Sequence, residues 1–360
     1  MISCFFAILL CCFSLQARES ICLSLKGISY AEETGLVSNV SKVYLEGVEG
    51  PYNATFVEEG DGYLMVFRYD LRAPSMTTPF REKIPVSALK EKWRTFLGAV
   101  RLDEHFQQVS DVMRIETGSD FSEDPRLFWK GDQLYLLYND LEDLPVYVRS
   151  MRLAKLDPKS LTLGCITDLD QRIAHVDRLV HMEKNWTPFV SQEEESRICF
   201  RYSINPHKIL RMKSPQSEEM EHPIYPLAVS FKKLPWDEKK WGSLRGGTPA
   251  IFLEEGVYLS FFHTMFRDGG TWWYLMGAYT FQAEPPYQIL SVSKEPLLLK
   301  EIYLAPPRLS KKILFPSGIV RKRDGDLDVF HVSCGANDQK ILILTIEKKA
   351  LMQSLVSTID

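Results

Sequence analysis

The sequence has no CxxC pair, no HExxH, no GxGxxG, no phosphate-loop motif and no GxSxG. Thiol-held zinc, zinc-protease, dinucleotide, nucleotide-triphosphate and α/β-hydrolase chemistries therefore lack their signatures. Charge of one sign is lacking too: 43 Lys and Arg against 47 Asp and Glu in 360 residues leave a net charge of −4. A polyanion-binding protein carries a basic surplus, so nucleic acid is not expected as the main partner. The only long apolar run is residues 2–13, followed by Ser14-Leu15-Gln16-Ala17. It is too short to span a bilayer comfortably and reads as an export signal over 1–17, although no basic residue precedes Arg18. On that reading the mature chain, 18–360, is periplasmic or secreted. It keeps Cys22, Cys165, Cys199 and Cys334, which are too scattered for a metal site and are equally readable as disulfides or buried thiols.

What the chain does have is 20 Gly, 20 Pro and 12% aromatic residues, the mark of many strands and turns. Five segments repeat one layout: a polar or Pro-containing lead-in, an apolar strand, a charged or glycine turn, and a return strand ending in aromatic and polar residues. They begin at Tyr52-Asn53, Glu123-Asp124-Pro125, Lys184-Asn185-Trp186-Thr187-Pro188, Gly247-Thr248-Pro249 and Phe315-Pro316-Ser317. Each reads as a β-hairpin. Pro125, Pro188, Pro249 and Pro316 are 63, 61 and 67 residues apart, and Asn53 precedes Asp124 by 71. The longer first interval is expected to hold a short helix over 87–100. A period of roughly 65 residues suits one four-stranded sheet with its loops, and five of them close a five-bladed β-propeller. A β-sandwich would space its turns more closely and show no fivefold phase. The tail, 348–357, is expected to form a short surface helix. The predicted fold is thus all-β: one propeller over 18–360 with small helical insertions and a short C-terminal helix. If the lead-ins start the innermost strands, Asn53, Asp124, Lys184-Asn185, Thr248 and Ser317 converge at one end of the axial channel.

The lead-ins carry recognisable words. Glu123-Asp124-Pro125-Arg126 resembles the corresponding stretch of glycoside hydrolase family 130, the β-mannoside phosphorylases and mannosidases, which are five-bladed propellers. In the same order, Asn53 with Arg68, Lys184 ahead of Trp186-Thr187-Pro188, Gly247-Thr248-Pro249 with Phe262-His263, Phe315-Pro316-Ser317-Gly318 and Gly335-Ala336-Asn337-Asp338 are similar to motifs of that family. The similarity spans roughly 50–340 and departs at His263-Thr264, where the family has His-Gly, and at Asn337, where it has Ala. The resemblance implies an enzyme that cleaves or forms a β-mannoside-type bond with inversion, by hydrolysis or phosphorolysis. It implies an oligosaccharide or glycoconjugate substrate, no metal, no organic cofactor, and inorganic phosphate as a candidate co-substrate. Asp124 would be the acid, its proton passing through a sugar hydroxyl, and Asn53 and Arg68 would hold the sugar.

Residue chemistry fills in the rest. Asp338 suits a pair of neighbouring sugar hydroxyls, and His263 suits a hydroxyl or phosphate, or else simply ends a strand. An attacking phosphate needs several cations in one place; Lys184 and Arg245 are candidates, with Arg201 and Arg126 behind them. Hydrolysis needs instead a carboxylate base for water, about 6.5–9.5 Å from the acid in an inverting enzyme; Glu183 and Glu123 are the candidates. Trp186, Trp272, Trp273 and Tyr274 suit sugar stacking or, more commonly, packing. Asn39, Asn53 and Asn185 lie in glycosylation sequons read here as incidental. The rival readings are a non-catalytic glycan- or protein-binding propeller and a glycosyltransferase using a sugar phosphate.

Overall fold

A computed structural model describes residues 25–72, 93–141, 148–169, 181–193, 196–213, 224–254, 256–304 and 311–358. The export-signal expectation and Cys22 lie outside them. Five antiparallel-based sheets follow one another along the chain. Blade one runs Tyr52–Glu59, Gly62–Arg72, Trp93–Leu102, Met113–Ile115, and blade two starts with Glu123–Lys130, Gln133–Leu141, Val148–Leu156 and Leu163–Asp168. Blade three is Thr187–Val190, Ile198–Ser203, His207–Met212, Ile224–Ser230. In blade four Leu244–Gly246 and Ile251–Phe252 both pair with Val257–Thr264, followed by Met276–Gln282 and Ile289–Ser293. Blade five is Lys311–Asp324, Leu327–Ala336 and Lys340–Glu347. The inner strand of blade one packs against those of blades two and five, and that of blade two against that of blade three. Blade three joins blade four through Ala250 N–H donating to the Pro188 carbonyl at 3.0 Å, and blade four packs on the inner strand of blade five. The ring of five blades is closed.

Both ends of the described chain stitch the ring. Val37–Val43 adds an outer strand to blade five by pairing with Lys340–Glu347. Leu355–Ser357 pairs with Ile289–Ser293 at the edge of blade four. The expected tail helix is therefore shorter than 348–357: it covers Lys348–Ser354, buries Leu351, and gives way to this strand. The helix expected over 87–100 is corrected from residue 93 onward, because Trp93–Leu102 is a strand of blade one; residues 87–92 lie outside the described set. Its apolar run Phe96-Leu97-Gly98-Ala99-Val100 is buried on both faces, which a blade requires and an exposed insertion does not. The other short helices among the described residues are Glu238–Trp241 and Lys300–Tyr303.

Blades stack face to face, so their strands read as continuous apolar runs rather than alternating ones. Leu64, Val66 and Leu97 of blade one meet Leu127, Leu134 and Leu136 of blade two. Phe56, Met65 and Phe67 on the other face meet Val320, Ile341 and Ile343 of blade five. Each such fully buried side chain contributes about 1.5–3 kcal/mol. Cys199 and Cys334 are buried free thiols and Cys165 is an exposed one, which decides for thiols over disulfides at these three positions.

Candidate functional site

The fivefold phase positions the lead-in side chains by a repeated backbone device. Asn53, Asp124 and Asn185 open blades one, two and three with φ of 47°, 52° and 63°. That left-handed region is costly for most side chains and is tolerated best by Asn and Asp. The pairing register slips just after the first two, between Tyr52 and Thr55 and between Glu123 and Arg126. Bulges of this kind re-aim a side chain at the end of a strand. Here they turn Asn53 and Asp124 together: the Asn53 amide donates to Asp124 Oδ1 at 2.8 Å. Close approach of the blades needs glycine at two points. A Cβ on Gly335 would sit 1.9 Å from Asn53 Oδ1, and one on Gly246 would sit 1.8 Å from the Asn185 carbonyl oxygen.

Around this pair lies a lattice of opposite charges drawn from three blades. Glu123, 1% exposed, accepts from Arg149 at 2.8 Å, from Arg68 at 3.0 Å and from Lys184 at 3.2 Å. Arg68 also reaches Asp124 at 3.4 Å and Asp70 at 3.2 Å, and its guanidinium lies over the Tyr52 ring. Burial alone would raise the Glu123 carboxyl, but Arg149, Arg68 and Lys184 outweigh it and hold it below the usual value. Asp124 behaves likewise: burial is outweighed by Arg68, Lys184 and Arg126, helped by the Asn53 amide. Both carboxylates therefore bind protons later in the folded chain than in the unfolded one as pH falls. Their stabilisation is complete above the unfolded values of about 3.9–4.3 and is lost as pH drops through the lower folded values. The urea midpoint is expected to fall as the buffer goes from about pH 5 towards pH 3. Glu123→Gln should flatten that slope.

Below the lattice the axis is blocked. The Arg126 side chain, buried, leaves blade two and donates from Nε to the Gly247 carbonyl of blade four; its guanidinium lies 5.2 Å from the Phe315 ring centre of blade five. Burial pulls Arg126 down to about 10, against Asp124. Arg201, also buried, gives two of its nitrogens to the Thr187 hydroxyl. His263 stacks on Tyr274 at 5.5 Å and 12° and meets Phe315 at 4.4 Å. Burial, then Arg245, Arg126 and Arg201, hold His263 well below its ordinary value, so the ring is neutral. The floor of the mouth is thus Arg126, Phe315 and a neutral imidazole.

The far wall is a tight turn. Asn337 and Asp338 both have φ of 55°, and Gln339 N–H donates to the Ala336 carbonyl at 3.1 Å, closing a β-turn inside the three-residue loop between Ala336 and Lys340. Asn337 also grips blade five's inner strand: its N–H donates to the Ile313 carbonyl at 3.0 Å and its Oδ1 accepts from Ile313 N–H at 2.9 Å. The departure from Ala at this position has a physical reason, since Asn both accepts the left-handed backbone and supplies the second hydrogen bond. Asn337→Ala is expected to cost about 1–2 kcal/mol, read as a lower urea midpoint with an unchanged m-value. Asp338, beyond it, accepts from Lys311 at 2.6 Å.

The expected site residues therefore separate. Asn53, Arg68, Asp124, Glu123 and Lys184 are joined by direct bonds. Asp338 faces them across the mouth, where its charge acts on Tyr52. Arg245 is exposed and pairs in register with His263. Glu183 is turned aside: it accepts from the Trp186 indole at 2.9 Å and the Tyr202 hydroxyl at 3.1 Å. Thr248 and Ser317 do not reach the mouth. Thr248 accepts from Phe261 N–H at 3.0 Å, and Ser317 donates to the Ala54 carbonyl at 2.8 Å, both buried. Trp186 and Trp273 are core residues, 1% and 5% exposed. Arg149 was missed because it lies on a strand far from any lead-in, and Lys311 because it stands four residues ahead of the lead-in on its strand. The strand of Arg149 carries Arg152 and Lys155 as well, so its sequence did not single Arg149 out. Among the described residues no group of three His, Cys, Asp or Glu could hold a metal ion, and no helix is long and apolar enough to cross a membrane.

No protein-family profile matches the chain, and no curated protein matches it. Solved structures do. The chain is similar to a β-1,2-mannobiose phosphorylase of Listeria innocua at 16% identity, over 90% of this chain and 98% of that one, with a TM-score of 0.56. It is similar to a mannose phosphorylase of Leishmania mexicana, solved with a phosphate ion, at 13% identity, over 92% and 95%, with a TM-score of 0.56. A glycosyl hydrolase of Bacteroides ovatus matches at 11% identity over 84% and 85%, with a TM-score of 0.55. At these identities the likeness establishes the fold, a five-bladed propeller over nearly the whole chain.

Proposed function

We propose that this protein is a carbohydrate-active enzyme that moves a mannoside-type glycosyl group between an oligosaccharide and inorganic phosphate, with inversion. One observation carries the choice of phosphate over water: both carboxylates expected to serve as the base, Glu123 and Glu183, are occupied. Glu123 is saturated by Arg149, Arg68 and Lys184, and Glu183 is bound to Trp186 and Tyr202. A base held below its ordinary value by three cations takes a proton from water poorly. The same cations, with Lys184 part-exposed, suit an oxyanion.

In this reading a phosphate oxygen attacks the anomeric carbon while the glycosidic C–O bond breaks. The proton needed by the leaving oxygen comes from Asp124. In the free chain Asp124 is ionised, which is the state required to take a proton when the glycosidic bond is formed. A bound phosphate adds negative charge beside Lys184 and raises the carboxyl, which is the state required for cleavage. Asn53, Arg68 and Asp338 hold the sugar. The phosphorylases and the hydrolase among the similar structures share the scaffold, so the scaffold leaves the acceptor open and the residues argue for phosphate.

Incubation with β-mannosides with and without phosphate tests the reading. Mannose 1-phosphate released only when phosphate is present is the expected result. Free mannose released at the same rate in both would replace phosphorolysis by hydrolysis. Binding without any product would leave a glycan-binding propeller.

A further inference from the structure

We propose that Lys311 is a positioning residue for sugar binding: its ammonium holds one oxygen of Asp338 and thereby fixes the carboxylate at the far wall of the mouth. The inference rests on the sugar-holding role given to Asp338 above and adds to it a residue that no lead-in contains.

Asp338 reaches the mouth through its backbone. Gly335, three residues earlier, runs so close to Asn53 that a Cβ there would overlap Asn53 Oδ1, and Asn53 in turn bonds Asp124. The strand then pairs Ala336 with Leu314 and enters the turn, where Asn337 bonds twice to Ile313. The next residues back along blade five's inner strand are Lys312 and Lys311, so Asp338 lands beside two adjacent lysines. Adjacent residues of a strand point to opposite faces, and the two lysines take different partners accordingly. Phe266–Asp268 and Thr271–Tyr274 form a hairpin inserted from blade four. Its second strand runs parallel to the start of the inner strand, with Trp272 opposite Lys311 and Trp273 opposite Lys312. Lys312 is buried: its Nζ donates to the Tyr303 carbonyl at 2.7 Å and lies 5.3 Å from the Trp273 ring centre. Lys311 instead donates to Asp338 Oδ2 at 2.6 Å.

The turn fixes the Asp338 backbone at φ 55°, but not its side chain. Among the described residues Lys311 makes the only hydrogen bond to that carboxylate. The two side chains are 31% and 24% exposed, and an ion pair in such a setting adds little to stability. Its effect falls on binding. A carboxylate free to turn loses rotamer freedom when a sugar hydroxyl donates to it. One already held at Oδ2 by a charge-assisted bond presents Oδ1 in a set direction. Lys311 thus acts through Asp338 and not on the sugar itself.

Lys311→Met keeps the stem and removes the charge. Calorimetric titration with a β-mannobiose, beside its turnover with phosphate, is the test. The variant is expected to melt like the wild type, to bind the sugar about fivefold more weakly, and to raise KM by a similar factor with kcat little changed. Asp338→Asn keeps a residue that accepts the left-handed turn and removes the ion pair. Adding Lys311→Met to it should weaken binding no further, a coupling that a merely structural lysine does not show. Equal binding by the wild type and Lys311→Met, or losses that multiply in the double variant, overturns the inference. Binding by the wild type without turnover would overturn only the phosphorolysis reading, and no binding of any mannoside by the wild type would overturn both.

Discussion

Asp124→Asn is expected to lower turnover of a β-mannoside by about 10²–10⁴-fold, the usual worth of a positioned acid or base, and to leave the fold intact. The substitution is chosen on backbone grounds. Asp124 sits at φ 52°, and apart from glycine Asn is the residue that accepts that region most readily. Ala there would add strain and confuse a lost proton with a lost loop. The amide keeps an oxygen for the Asn53 donor, which lies at 2.8 Å, and for Arg68. Substrate binding should therefore fall far less than kcat. The direction of reaction gives a second check. Because Arg68 and Lys184 keep the wild-type carboxyl ionised, the synthetic direction, which needs a base, should hold its rate down to the acid edge of stability. Cleavage should lose rate as pH rises, since fewer molecules then carry the proton. A variant as active as the wild type in either direction would remove Asp124 from the mechanism.

The fold was legible because a propeller repeats its instructions. Pro125, Pro188, Pro249 and Pro316 mark the same step of successive inner strands, and each of those strands pairs antiparallel with the strand that follows it. The left-handed Asn53 and Asp124 were visible as lead-in residues, and their meeting follows from the phase alone. What was not legible is what phase does not encode. Trp93–Leu102 looked like an insertion because its apolar run fits a buried helix and a buried strand equally, and only tertiary pairing decides. The hairpin of Tyr274 leaves its own blade for the next, and no local pattern announces a change of sheet. Thr248 and Ser317 shared the lead-in chemistry of Asn53, yet their hydroxyls are spent on backbone groups between strands. A short hydroxyl side chain reaches only the backbone of an adjacent strand, here the Phe261 N–H or the Ala54 carbonyl. Glu183 sits beside Lys184 in sequence, but the indole and phenol that claim it come from Trp186 and Tyr202, and the latter lies on the next strand.

Glu123→Gln is expected to destabilise the protein by about 3–5 kcal/mol, because it leaves three cations facing one another without the negative charge of their common partner. Arg149 is 1% exposed and its remaining acceptors are the Phe121 carbonyl at 3.1 Å and Asn139 Oδ1 at 2.9 Å, both uncharged. Arg68 keeps Asp70 and Asp124, and Lys184 is part-exposed, so the loss concentrates on Arg149. Against a typical total of about 5–15 kcal/mol this is enough to bring the folded state near its limit. The urea midpoint reads it directly. The same lost charge gives the prediction a sharper edge. Phosphate or sulfate in the buffer should raise the midpoint of the variant more than that of the wild type, because an oxyanion beside the part-exposed Lys184 supplies negative charge that the amide no longer does. Chloride at equal ionic strength should not, since screening alone does not supply two oxygens in a fixed fork. Equal anion effects on the two proteins would mean that the three cations serve Glu123 alone, and the case for phosphate as the attacking group would rest on the occupied carboxylates without a cation site to receive it.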